Sequence, residues 1–127
     1  MKILVVDDSL TIRKIVRRIL EMMGSVQVIE AKNGEEGLLL ATTEPLDLVI
    51  TDWNMPLMDG IDMVRRLRAE GFRDLPVVML SSAGTPREMA QAAEAGVHSF
   101  VTKPMTAETI ADAVRSAVAE RRHAQGA

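Results

Sequence analysis

Residues 1–24 read MKILVVDDSLTIRKIVRRILEMMG, and the change of period inside this stretch decides the fold. Ile3 to Val6 is an unbroken apolar run, too short for a helix, with the β-branched residues that suit a strand buried on both faces. It runs directly into Asp7 and Asp8. From there the apolar residues Ile12, Ile15, Val16, Ile19, Leu20 and Met23 recur three and four apart, the spacing of one face of a helix. Ser9 is placed to cap that helix and Gly24 to stop it, while Arg13, Lys14, Arg17, Arg18 and Glu21 fall on its outer, solvated side.

The same alternation continues along the chain. Further buried strands are expected at Val26–Ile29, Leu48–Thr51, Val77–Leu80 and Ser99–Thr102. The second helix should follow the Asn33-Gly34 turn and end before Pro45, and the third should run from about Ile61 to Glu70. A fourth should start near Pro86, a favoured first helical position, and stop at Gly96. The last should begin at Thr106 and bury Ile110, Val114, Ala117 and Val118. Apolar strands alternating with amphipathic helices specify an α/β fold, a doubly wound parallel sheet with right-handed connections and helices on both faces.

Composition sets the outer bounds. The chain has 127 residues, 47% hydrophobic, which is enough for one core and too few for two domains. The domain is expected over residues 1–123, with 124–127 a short tail and fraying from about Arg121. A net charge of −3 gives no basic excess for nucleic acid, so DNA binding is not expected. With no cysteine, disulfides and thiolate metal sites are excluded. The apolar start is too short for a signal peptide or a membrane span, so a cytoplasmic protein without membrane insertion is expected.

Chemistry gathers where the strands end. Asp7 and Asp8 follow the first strand, Asp52 the third, Ser81 and Ser82 the fourth, and Lys103 the fifth, all on one edge. Doubly wound sheets bind ligands beyond the carboxyl ends of their strands, where strand order reverses. If the strand order is 2-1-3-4-5, strands one and three are neighbours about 4.8 Å apart, and three carboxylates then converge. Each such pair repels by roughly 4 kcal/mol at 4 Å and an effective dielectric of about 20, so a cation is required. Oxygen-only ligands point to Mg²⁺. Lys103 supplies a compact positive charge for an anion such as a phosphoryl group, and the Ser81 hydroxyl can bond one of its oxygens. A carboxylate is then the covalent acceptor. Singly, each acid is most simply a cap or a solvated charge, Lys103 a surface lysine and Ser81 a turn former; their coincidence at four strand ends makes a site.

Together LVVDDSLTIRKIV, TDWNMPLMDG, LPVVML followed by Ser81, and AGVHSFVTKP make the chain resemble response-regulator receiver domains along essentially its whole length. The resemblance implies a flavodoxin-like (βα)5 fold and a single-domain two-component regulator, with chemotaxis the first choice of pathway. It implies Asp52 as phosphoacceptor, Mg²⁺ held by Asp8, Asp52 and the backbone carbonyl of Asn54, and Asp7 acting through water. Lys103 would contact the phosphate across a cis bond to Pro104, and Ser81 with Phe100 would form the switch. Such a protein catalyses only its own phosphorylation and dephosphorylation. Its partners would be a histidine kinase or histidine phosphotransfer protein, and a downstream protein such as a motor component or phosphatase; a monomer is expected. Departures are Phe100, which lacks the hydroxyl of the tyrosine common there, and Ala83, where relatives are often acidic or polar. A phosphorelay intermediate and a receiver cut from a larger regulator are the alternatives, Met1 and the short tail being read against the second. An aspartyl-phosphate phosphatase is the rival from another class.

The remaining features have plainer readings. Met55, Met58, Met63 and Met79 are expected to fill the core or pack loops. Arg65, Arg66 and Arg68, like the arginines of the first helix, are expected on solvated faces. His98 and His123 have no second ligand near them in sequence, so neither metal binding nor phosphotransfer is expected of them. Gly34, Gly60 and Gly96 read as turn or cap glycines.

Overall fold

The architecture comes from a computed structural model, which describes the backbone of residues 1–126 and the side chains of residues 1–121. Strands and helices alternate: β1 (Lys2–Val6), α1 (Leu10–Glu21), β2 (Gln27–Ala31), α2 (Gly34–Thr43), β3 (Leu48–Asp52), α3 (Gly60–Ala69), β4 (Val77–Ser81), α4 (Pro86–Ala95), β5 (Ser99–Thr102) and α5 (Ala107–Gly126). The five strands form one parallel sheet in the order β2-β1-β3-β4-β5. This is the flavodoxin-like arrangement expected.

Local signals account for the helix boundaries. Ser9, Asn33 and Asp59 accept hydrogen bonds from the backbone N–H three residues on, at 3.2, 2.8 and 2.8 Å, and so cap α1, α2 and α3. Thr85 and Glu88 form a reciprocal capping box, Pro86 takes the first turn of α4, and Gly96 ends it in the left-handed conformation at φ 103°. Strand periodicity then divides the core. Leu4, Val6, Val49, Val77 and Met79 pack against Ala41, Met63, Val64, Leu67 and Ala92 of α2, α3 and α4. Their neighbours Ile3, Val5, Leu48, Ile50 and Leu80 pack against Val16, Leu20, Ile110, Val114 and Ala117 of α1 and α5. Met58, Met63 and Met79 are buried and Met55 packs beside them, so the methionines fill the core as expected.

Several expectations need correction. Ile15 is 43% exposed, because α1 meets the sheet through the narrower stripe of Val16 and Leu20. Arg13 and Arg17 do not stand free in solvent: their Nε atoms lie 3.0 and 2.8 Å from the two carboxylate oxygens of Glu30 on β2. Arg68 is half-buried and donates to the carbonyls of Phe72, Leu75 and Gly96 at 2.6, 2.6 and 2.7 Å, tying three segments together. Arg65 and Arg66 are exposed as expected. Strand β2 begins and ends later than its apolar run, since pairing with β1 carries it on to Ala31. Helix α5 spans Ala107–Gly126, and Arg121, where fraying was expected to begin, donates to the Leu46 and Asp47 carbonyls at 3.2 and 3.3 Å. The His123 side chain lies outside the described residues. No described helix is long and apolar enough to cross a membrane.

Candidate functional site

Parallel register sets out the site. Val6 pairs with Thr51, Asp52 with Leu80 and Ser81 with Thr102, so Asp7, Asp52, Ser81 and Lys103 lie at the carboxyl ends of four adjacent strands. Asp59 and Gly60 close the edge from α3. The Gly60 N–H donates to the Trp53 carbonyl at 2.8 Å, and a β-carbon at Gly60 would lie 2.2 Å from the Asp52 carbonyl oxygen. Only glycine lets the helix start this close behind Asp52.

The carboxylates of Asp7, Asp8 and Asp52 converge: one oxygen from each lies within 4.8 Å of the others. Asp7 is 1% exposed and Asp52 7%, while Asp8 faces solvent. Burial pushes the Asp7 carboxyl up from 3.8 to about 6; the Ser9 N–H and Lys103 oppose this, and the charges of Asp52 and Asp8 add to it. Lys103 enters from β5 with Nζ 3.1 Å from Asp52 Oδ1 and 3.9 Å from Asp7 Oδ2. Its peptide bond to Pro104 is cis, as the resemblance implied.

Hydrogen bonds distinguish the carboxylate oxygens. Asp7 Oδ1 accepts the Ser9 N–H at 2.9 Å, but the buried Oδ2 has no hydrogen-bond partner among the described residues. Asp52 Oδ1 accepts from the Trp53 N–H at 2.9 Å and from Lys103 at 3.1 Å, whereas Oδ2 accepts from none of the described residues. With the Lys103 ammonium no nearer to Asp7 Oδ2 than 3.9 Å, this buried oxygen among like charges is left for a cation that can approach it more closely. Three carboxylate oxygens within 4.8 Å of one another are close enough that one small, hard cation would be shared among them. With no sulfur or imidazole in the set, the donors are those of Mg²⁺ rather than Zn²⁺.

The other expected residues surround this centre. Ser81 is buried, and among the described residues its hydroxyl accepts only a long bond, 3.3 Å, from the Ala83 N–H. Asn54 is exposed and lines, with Asp8, Met55, Pro56 and Asp59, a cleft of about 350 Å³. Phe100 on β5 is half-buried and meets the ring of Trp53 edge-on, centroids 6.2 Å apart. His98, just before β5, lies outside the acid cluster, with Nε2 4.0 Å from Glu120. The sequence reading missed Arg13, whose Nη1 donates to the Asp7 carbonyl at 2.6 Å. A cationic residue on the first turns of a helix that follows an acid pair is the one signal that was there.

Fold and site are those of an α/β domain that gathers an acid cluster and a lysine at the carboxyl edge of its sheet. Residues 3–115 match the response regulator receiver domain family, and the chain belongs to it. It is 41% identical over 112 residues to the chemotaxis protein CheY homolog of Campylobacter jejuni, covering 87% of this chain and 86% of that one. With the chemotaxis protein CheY of Pseudomonas aeruginosa it shares 39% over 115 residues, 90% of this chain and 93% of the other. Among solved structures, a receiver domain protein from Clostridium thermocellum superposes with a TM-score of 0.85 at 30% identity, covering 95% and 96% of the two chains. The Vibrio cholerae chemotaxis protein CheY4 does so with 0.84 at 31%, covering 90% and 95%. The phosphatase and phosphorelay readings are not favoured by this company.

Proposed function

We propose that this receiver domain takes a phosphoryl group from a phosphohistidine of a partner kinase onto Asp52, with Mg²⁺, and reports it to a downstream protein in chemotaxis. One observation carries the reading: Asp52 Oδ1 is held by two donors while Oδ2 has none among the described residues, beside a lysine and two further acids. Asp7, Asp8 and Asp52, with the backbone carbonyl of Asn54, would hold Mg²⁺, which when bound neutralises carboxylate repulsion and the charge on the transferring oxygens.

The chain's own groups do the rest. The Trp53 N–H and Lys103 orient Asp52 so that Oδ2 forms the new bond to phosphorus as the phosphorus–nitrogen bond of the phosphohistidine breaks. The electron pair of that bond stays on the imidazole nitrogen. Lys103 is placed to exchange its bond with the carboxylate for one with a phosphoryl oxygen. Hydrolysis later adds water to phosphorus and returns Asp52 as the carboxylate, so the domain catalyses only its own modification and release. The Ser81 hydroxyl, held by one long bond, turns toward the phosphoryl oxygens, and Phe100, edge-on to Trp53, repacks into the space it leaves. The phosphoryl group biases this equilibrium by as much as it prefers the rearranged state. Kinase and target meet the domain in the cytoplasm, and the relatives' chemotaxis names supply the pathway.

Trp53 adjoins the phosphoacceptor and is the only tryptophan, so its fluorescence reads the site directly. A change is expected on adding Mg²⁺, and a second on adding acetyl phosphate or beryllofluoride. In Asp52→Asn the second change should vanish; its persistence with acetyl phosphate would mean that another residue takes the group.

A further inference from the structure

Both backbone groups of the residue preceding Asp8 are tied to β2, the N–H directly and the carbonyl through Arg13 of α1. The Asp7 N–H donates to the Ala31 carbonyl at 3.1 Å. Its carbonyl accepts from Arg13 Nη1 at 2.6 Å, and Arg13 Nε is held in turn by Glu30, the residue beside Ala31, at 3.0 Å. Arg17 takes the second Glu30 oxygen at 2.8 Å and also donates to the Val28 carbonyl at 3.2 Å. The Arg13 side chain is only 13% exposed, so this bridge from β2 to the head of α1 is largely shielded from water.

Geometry makes that grip matter for the acids. Asp8 is exposed, and its carboxylate accepts no hydrogen bond from the described residues, so what the protein fixes is the backbone from which it departs: the peptide plane between Asp7 and Asp8 helps set where its Cα–Cβ bond points. The carbonyl of that plane is the one Arg13 holds. We propose that Arg13, clamped by Glu30, is a positioning residue for the cation site, fixing the peptide from which Asp7 and Asp8 present their carboxylates. The role rests on the proposed Mg²⁺ site and adds to it two residues that touch neither ion nor phosphate. A planar guanidinium suits the task because two different nitrogens serve Glu30 and the carbonyl at once; a lysine has a single nitrogen and cannot reproduce the fork.

Arg13→Lys separates positioning from ion pairing, since the pair with Glu30 can persist while the forked bond to Asp7 is lost. Outer partners of metal ligands commonly contribute tenfold or more to affinity, so the Mg²⁺ concentration at half the Trp53 response should rise about tenfold. The amplitude at saturating Mg²⁺ and the urea midpoint should stay near wild type. Arg17→Ala, which loosens Glu30 without touching Asp7, should leave half-saturation within about twofold. Glu30→Gln, which weakens the clamp but leaves Arg13 in place, should raise half-saturation by a smaller factor, and it keeps the test open should Arg13→Lys fail to fold. Wild-type half-saturation in Arg13→Lys, or in Glu30→Gln if the lysine variant does not fold, would overturn the role, as would an equal loss in Arg17→Ala. A wild-type chain without any Mg²⁺ response would instead overturn the proposed function and this role with it.

Discussion

Asp7 is buried against Asp8 and Asp52, and one of its oxygens has no hydrogen-bond partner among the described residues. Its carboxyl is pushed up to about 6, chiefly by burial, from an ordinary 3.8. Between those values the folded chain holds a proton that the unfolded chain releases. The metal-free domain therefore gains stability as pH falls through about 6, and above that it carries the full cost of the ionised acid. Asp7→Asn removes the charge at nearly constant shape. Without Mg²⁺ at neutral pH it should be more stable than wild type, by roughly 1 kcal/mol as is usual when a strained functional site is relieved. The gap should close below about pH 4 and reverse in sign with saturating Mg²⁺, because the variant binds the ion poorly. Urea unfolding across pH, with and without Mg²⁺, measures this; a metal-free variant less stable than wild type at neutral pH would refute it. The acids and Lys103 were legible because apolar strands end visibly, and the residues just after them must share an edge. Arg13 and Glu30 were not, because an arginine on a helix reads as a solvated charge until the fold brings β2 beside it.

Helix boundaries were legible wherever capping chemistry marked them. Asn33-Gly34, Thr85-Pro86 with Glu88, and Gly96 each act through a local hydrogen bond or backbone conformation that needs no tertiary partner. Ile15 misled because helical spacing gives the width of the apolar stripe but not how much of it a flat sheet can cover. Gly60 was read as a turn or cap glycine, and it is the first residue of α3. Its larger role lies in the backbone it touches: the close approach to the Asp52 carbonyl leaves no room for a methyl group. Gly60→Ala should destabilise the domain by about 3 kcal/mol, the upper range for overpacking, and should also weaken Mg²⁺ binding by shifting the end of β3. A urea midpoint and a Mg²⁺ titration of the same sample test both. Normal values would mean that α3 can retreat without disturbing Asp52.

Across the whole molecule, the carboxyl edge of the sheet carries the site and the opposite edge carries the fastening. Arg68 joins the end of α3, the approach to β4 and the turn after α4, with burial holding its guanidinium somewhat below the usual range. Nothing in the spacing of Arg65, Arg66 and Arg68 distinguishes the one that turns inward; the loop carbonyls that select it are far away in sequence. Arg68→Ala would strip three carbonyls of a charged donor, so a loss of about 2–3 kcal/mol in stability is expected, with Mg²⁺ half-saturation within about twofold of wild type. A large change in Mg²⁺ affinity at unchanged stability would show that the two edges are coupled. The alternation of strands and helices, and with it a doubly wound parallel sheet, was legible from their periods, the flavodoxin-like arrangement was implied by the resemblance to receiver domains, and the chemistry assigned to it turns on one residue. Mass spectrometry of the intact chain after incubation with acetyl phosphate tests that assignment most directly. The account expects one added phosphoryl group, dependent on Mg²⁺, carried on the peptide that contains Asp52 and absent from Asp52→Asn. The same adduct on the Asn variant, or an adduct independent of Mg²⁺, would contradict it.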